Sequence, residues 1–263
     1  ITLAAPSCDP HPLDAAHFII DKVKAAPGEI TLVPVGPLTN IALALLLWPE
    51  LPQHLAGIVL MGGNAFVGGN ASPSAEANIL NDPEAADLVF GADCPIVMCG
   101  LDVTEATIMS SAQIASISAI DNPRAQHAAK ILPFYRDFHL AHGGPDGIHV
   151  HDSTCISYLI APQHYRSVQH PVRVDTGHSV GRGKTWPASR HALTHEPWSQ
   201  RRNVTILTEV DSAAVVALEL ERLGIPVERF FSGDFRIATY KTKAPPPPPG
   251  MLYRRHEGGC AAC

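Results

Sequence analysis

The chain has 263 residues, 46% of them hydrophobic and 17% charged. That balance belongs to a globular chain with apolar content enough for one large α/β domain, and it excludes a disordered one. The formal net charge is -6 and no long Lys/Arg run occurs, which argues against a nucleic-acid or anionic-membrane surface.

No apolar run reaches the roughly 20 residues of a membrane span, and no basic start followed by an apolar core marks a signal peptide. The chain opens on Ile1 rather than Met, so the expectation is that the true N-terminus and any targeting information lie upstream. A cytoplasmic location is the default expectation. Cys8, Cys94, Cys99 and Cys155 are scattered, and Cys260-x-x-Cys263 is a lone terminal pair. Free thiols in a reducing compartment are expected rather than a zinc site or a disulfide framework.

Leu13 to Ala25 carries apolar residues at helical spacing, with Asp14 as an early acidic residue, and Pro27-Gly28 stops it. Ile30 to Val35 is a short β-rich apolar run, the mark of a buried strand. Gly36-Pro37-Leu38-Thr39-Asn40 turns into a helix over Ile41 to Leu47. Ile58 to Met61 is the next strand, and a polar stretch, Gly68 to Ala86, follows its Gly62-Gly63-Asn64 turn.

Asp82-Pro83-Glu84 starts a helix running through Phe90, with Pro in the first turn and acids near the N-terminus. Pro95 to Cys99 reads as another buried strand. Ser110 to Ile120 and Ala125 to His139 read as helices, and Ser153 to Ile160 as a buried apolar helix closed by Pro162. Val172 to Val174 and Val204 to Leu207 read as strands, Gly177 to Arg202 as loop, and Asp211 to Leu223 as an amphipathic helix.

Alternation of strand and helix predicts an α/β fold, a mostly parallel central sheet covered by helices on both faces. Residues 1–236 form one domain in this reading. Residues 237–263, with the polyproline run Pro245 to Pro249, form a Pro-rich tail expected to be disordered.

The polar stretch draws notice because ligands sit at strand ends in α/β proteins. Asn70, Glu76 and Asn78 offer the donors and acceptors that a sugar needs, although a plain surface loop has the same composition. Three pieces in order carry a resemblance: Val35-Gly36-Pro37-Leu38-Thr39-Asn40, the block from Met61-Gly62-Gly63 through Gly69-Asn70, Ala75-Glu76-Ala77-Asn78 and Asp82-Pro83-Glu84-Ala85-Ala86, and His151-Asp152 ahead of a helix. Together they resemble the inosine/uridine-preferring nucleoside hydrolase family over about residues 13 to 225.

The resemblance implies hydrolysis of the N-glycosidic bond of ribonucleosides, with Ca²⁺ holding the attacking water and the ribose diol. It also implies a homodimer or homotetramer. Carried over to this chain, the Thr39 carbonyl and the Asp152 carboxylate are metal ligands. Asn70, Glu76 and Asn78 bind ribose hydroxyls, Met61 is a pocket wall, and His151 assists departure of the base. A histidine that titrates near neutrality suits that last role. Structural readings stand beside these: Asp152 as a helix cap, Thr39 as an N-cap, and His151 as one of 14 histidines.

The chain departs from the family pattern in one large respect. The Asp-x-Asp-Pro-Gly-x-Asp-Asp cluster, which provides most of the Ca²⁺ carboxylates and the base, is absent. Asp9 and Asp14 stand too close to Thr39 in sequence to replace it. The expectation is an N-terminally truncated copy that has lost its first strands, binds Ca²⁺ poorly and lacks its water-activating base; the alternative is a non-catalytic nucleoside- or ribose-binding member.

Smaller departures are Ala77 in place of an aromatic and Ser153-Thr154 in place of a Pro. Tyr135 and His139 fall where the family contacts the base, and Asp102 follows a strand end without an assigned role. A dinucleotide enzyme is disfavoured, because Gly181-Arg182-Gly183 follows a strand but leads into no helix.

Overall fold

The computed structural model of the chain describes residues 11–188, 196 and 198–224. The expected tail at 237–263, together with Cys8, Cys260 and Cys263, lies outside those residues. Helix α1 (Ala15–Ala25) begins where Asp14 accepts the His17 backbone N–H, and it buries the stripe Ala16, Ile20 and Val23.

Strand β1 (Thr31–Leu32) is shorter than the expected run from Ile30 to Val35. Among the described residues it pairs with β2 (Gly57–Met61) alone, so few of its backbone groups find a ladder. Between them lies α2 (Thr39–Leu47). All five residues of β2 are buried, as a central parallel strand requires.

The polar stretch contains a short helix the sequence did not announce, α3 (Ala77–Asn81), and it runs directly into α4 (Pro83–Phe90). Asp82 caps α4 by accepting the Ala85 N–H, with Pro83 in the first turn. Strand β3 (Ile96–Cys99) leads into the single-turn helix α5 (Leu101–Thr104). Strands β4 (Ile108–Ser110) and β5 (Gly147–His149) pair antiparallel apart from the main sheet. The chain between them forms α6 (Ser111–Ile117) and α7 (Pro123–Ala141).

After α8 (Ser153–Ile160) come β6 (Tyr165–His170), β7 (Val172–Val174), β8 (Thr185–Pro187), β9 (Val204–Val210) and α9 (Ser212–Leu223). The main sheet has the order β1-β2-β3-β9-β6. Its first three pairings are parallel, and β6 runs antiparallel to β9. Alternate residues face opposite sides. Ile58, Leu60, Ile96, Met98 and Ile206 share one core with α1, α2 and α4. Val59, Met61, Cys99 and Leu207 share the other with Cys155 of α8 and Val215 of α9. The expected mostly parallel sheet with helices on both faces is therefore the fold observed.

Two expectations are corrected. Helix α8 buries Thr154, Cys155 and Ser157 and exposes Ile156, Leu159 and Ile160, the reverse of a buried apolar helix. The inward face can be polar because Thr154 Oγ1 donates to the Val150 carbonyl (2.9 Å) and Ser157 Oγ to the Ser153 carbonyl (3.0 Å). The segment expected to be loop, Gly177 to Arg202, contains β8, which pairs with β7 in a separate hairpin. That hairpin is fastened to α4, where Asp87 accepts from Arg173 Nε (2.8 Å), Arg173 Nη2 (2.9 Å), Val174 N (2.9 Å) and Arg201 Nη2 (2.8 Å). Cys94, Cys99 and Cys155 are free and buried. Among the described residues no helix is long and apolar enough to cross a membrane.

Candidate functional site

Strand β2 ends at Met61, and the polar stretch returns beside it through α3. Glu76 is 2% exposed and caps α3. Its Oε1 accepts the Asn78 N–H (2.8 Å), and its Oε2 accepts those of Ile79 (3.1 Å) and Gly63 (2.9 Å). Burial pushes the carboxyl above its ordinary value, the three amide donors oppose the shift, and the Asp152 charge adds to it.

Asn78, also buried, donates from Nδ2 to the Met61 carbonyl (3.1 Å) and sulfur (3.3 Å). Asn70 is exposed, and its Oδ1 accepts the Ala77 N–H (3.0 Å), which fixes the mouth of the loop. Gly69 has a steric reason to be glycine, since a Cβ there would collide with the Ala75 backbone.

Asp152 approaches from the other end of the chain. It occupies the cap position of α8, yet its side chain makes no cap bond and its backbone is already helical (φ -68, ψ -42). The capping role considered for it is therefore not what the structure has. Burial raises its carboxyl above the ordinary value, and its negative charge adds to the upward push on Glu76.

His151 presents Nδ1 to Thr104 Oγ1 at 2.8 Å. Burial, helped by His149 and His139, pushes its pKa down to about 3. The expectation of an imidazole titrating near neutrality is thus corrected: the ring is neutral at physiological pH, with one N–H to give. Rings continue outward from it. His149 lies 5.7 Å from His151, His139 lies 5.3 Å from His149, and Tyr135 lies 4.5 Å from His139, all between ring centroids. The Nε2 of His139 is buried without a partner.

Thr39 lies at the head of α2. It is the exposed first residue of α2 rather than its cap, which is Leu38, and its hydroxyl donates to Asp82 Oδ2 (2.5 Å). Among the described residues no group of three or more His, Cys, Asp or Glu side chains could hold a metal. A Ca²⁺ ion takes six to eight oxygens, which Asp152 and one carbonyl do not provide. The described residues alone do not fit the ion.

With this geometry in place, the chain was compared with known proteins. Residues 2–217 match the family model of the inosine-uridine preferring nucleoside hydrolases. The chain belongs to the inosine-uridine preferring nucleoside hydrolase family. It is 41% identical over 222 residues to the pyrimidine-specific ribonucleoside hydrolase RihA of Shewanella woodyi, covering 84% of this chain and 69% of that protein. It is 37% identical to a probable uridine nucleosidase 2 of Arabidopsis thaliana, covering 79% of this chain and 65% of that one. Among solved structures, the plant nucleoside hydrolase PpNRh1 superposes with a TM-score of 0.78 at 31% identity, over 84% of this chain and 71% of that one. The purine-preferring ribonucleoside hydrolase of Gardnerella vaginalis does so with 0.77 at 27%, over 85% and 69%.

Within this nucleoside hydrolase fold, four residues near the site were missed or left without a role. They are Asn64, Asp102, Lys184 and Thr185. Asp102, 3% exposed, accepts the Ala65 and Phe66 N–H groups at 2.8 and 2.7 Å. Thr185 Oγ1 accepts the Asn64 N–H (2.9 Å). Lys184 Nζ donates to the Asn64 carbonyl (2.5 Å) and the Val67 carbonyl (2.9 Å). Burial raises the Asp102 carboxyl and lowers the Lys184 ammonium, while each charge partly restores the other. Asp102 had a signal in its place after a strand. Lys184 had none, lying in a stretch with neither strand nor helix pattern.

Proposed function

We propose that the site hydrolyses the N-glycosidic bond of ribonucleosides, releasing ribose and a free base, with uridine the first substrate to test. The observation that carries this reading is a buried Glu76 and Asn78 at the start of α3, fixed by backbone amides and by the Met61 carbonyl that ends β2, together with an Asp152 that makes no cap bond at the head of α8. The names of the relatives support uridine, since they are described as pyrimidine-specific and as uridine nucleosidases.

Glycosidic cleavage builds positive charge on the sugar, and a fixed carboxylate beside it lowers the barrier. Glu76 serves there because three backbone amides hold its position without a cation to neutralise it. Asn78 and Asn70 give amide groups for ribose hydroxyls. His151 faces the base side. With Thr104 Oγ1 donating to Nδ1, the neutral ring would keep its N–H on Nε2, as a hydrogen-bond donor to the departing base. Asp152 and the Thr39 carbonyl would be two of the Ca²⁺ oxygen ligands, a set that the described residues do not complete. No step is drawn through the ion.

A second reading, nucleoside binding without cleavage, is favoured by one observation. Among the described residues no third His, Cys, Asp or Glu side chain joins Asp152 and Glu76 in a group that could hold a metal. Ribose release from uridine, cytidine and inosine, with and without a chelator, decides between the two. Release abolished by Asp152→Asn and by chelation supports the hydrolase. Affinity for uridine with no release supports the binder, and neither binding nor release refutes both.

A further inference from the structure

We propose that Lys184 is a positioning residue that aims Glu76 at the ribose, by holding the Asn64 carbonyl in the turn whose Gly63 N–H binds the Glu76 carboxylate. The inference rests on the ribose reading of Glu76 given above.

The turn from Gly63 to Val67 makes few bonds of its own. Its polar groups are fixed from outside, by residues far away in sequence. The amides of Ala65 and Phe66 meet the Asp102 carboxylate. The carbonyls of Asn64 and Val67 meet the Lys184 ammonium. A cation thus holds carbonyls and an anion holds amides on the same short turn, and both charges are buried. Thr185, next to Lys184, accepts the Asn64 N–H, and Leu101 N donates to the Gly63 carbonyl.

The turn also has no room to relax. Gly63 has φ +82, and a Cβ there would stand 2.8 Å from both Met98 Cε and Thr185 Cγ2. What emerges on the site side is the Gly63 N–H, bonded to Glu76 Oε2 at 2.9 Å. The path from Lys184 to Glu76 therefore runs from the ammonium to the Asn64 carbonyl, back along the backbone of Asn64 and Gly63, and through the Gly63 N–H to the carboxylate. Without the ammonium, the Asn64 carbonyl is buried without its donor and Asp102 without its counter-charge. The Asn64–Ala65 peptide then shifts towards another donor, the backbone of Asn64 and Gly63 follows it, and the Gly63 N–H loses its alignment on the carboxylate.

The test reads discrimination between substrates rather than activity, because a fall in the folded fraction weakens all ligands alike. Affinities of uridine and its 2′-, 3′- and 5′-deoxy analogues are measured by calorimetry. The proteins are the full chain, Lys184→Met, and the charge-balanced Lys184→Met/Asp102→Asn, which folds without an unpaired buried carboxylate.

The unsubstituted chain is expected to prefer uridine over at least one deoxy analogue by about tenfold or more, as for a hydrogen bond to a charged group. That ratio should fall several-fold towards one in both variants. An unchanged ratio in either folded variant overturns the role of Lys184 while leaving the ribose reading intact. Equal affinity of the unsubstituted chain for all four ligands overturns the ribose reading, and the role of Lys184 with it.

Discussion

Asp87→Ala should be among the most damaging single changes away from the site. The carboxylate is 14% exposed and accepts four hydrogen bonds, three of them from Arg173 and Arg201, whose side chains are 24% and 16% exposed. Removing it leaves two largely desolvated guanidinium groups and the Val174 N–H without their acceptor. Breaking a buried pair costs roughly 3–5 kcal/mol, and the residual exposure of the arginines puts this case near about 3 kcal/mol. For a domain of this size that is a fall in Tm of roughly 6–12 °C.

The pH dependence has a definite sign. Burial alone would raise the Asp87 carboxyl, but the Arg173 bond, the Val174 amide and the charges of Arg201 and Arg173 carry it below its ordinary value. A carboxyl lowered on folding contributes stability above its unfolded pKa of about 3.9, and that contribution is lost as pH falls through the folded value. The penalty of Asp87→Ala should therefore be complete at pH 7 and shrink in acid below about pH 4. Urea unfolding of both proteins at pH 7 and across the acid range measures it. A loss under about 1 kcal/mol at pH 7, or one that does not change with pH, would refute the reasoning.

Asp152→Ala should change stability by no more than about 0.5 kcal/mol, because no cap bond is lost, while ribose release disappears. A loss near the usual cap value of about 1 kcal/mol in a melting experiment would restore the capping role. Gly69→Ala should cost about 1–3 kcal/mol and weaken uridine affinity, since its Cβ meets the Ala75 backbone that leads into Glu76; calorimetry and melting report both effects. Ca²⁺ titrated into the present chain should bind no more tightly than about millimolar, as for a site with one carboxylate, and a micromolar Kd would show that further oxygen donors are present.

The sequence disclosed those parts whose cause is local. Asp14 and Asp82 start helices because a carboxylate reaches the amide three residues on, which a linear reading can find. Strands β2 and β3 are buried on both faces and so read as apolar runs. Strand β6 escaped because it is an edge paired only with β9, and Arg166, Ser167 and Gln169 face outward along it. Glu76, Asn78 and Asp152 were singled out through spacing and resemblance. Their geometry was not, since whether Asp152 caps its helix depends on backbone angles. His151 was placed, but its proton affinity follows from burial and from His149 and His139, which only the folded chain provides. Lys184 lies 120 residues from Asn64, and no local pattern links a lysine to a carbonyl at that distance.

The buried thiols give the protein an internal clock. Cys99 closes β3, Cys155 sits in the first turns of α8 behind His151 and Asp152, and both are fully enclosed. Cys94 is enclosed in the bend that precedes the same strand, with burial pushing its pKa up to about 11. Only a thiolate reacts with an alkylating reagent, so each sulfur stays silent until its surroundings open. With Cys8, Cys260 and Cys263 replaced by Ser, the alkylation rates at Cys99 and Cys155 time the parting of sheet and helix beneath the site. Cys94, on the opposite face, times the opening of the other core, so one mass spectrum follows both halves of the domain without an introduced probe.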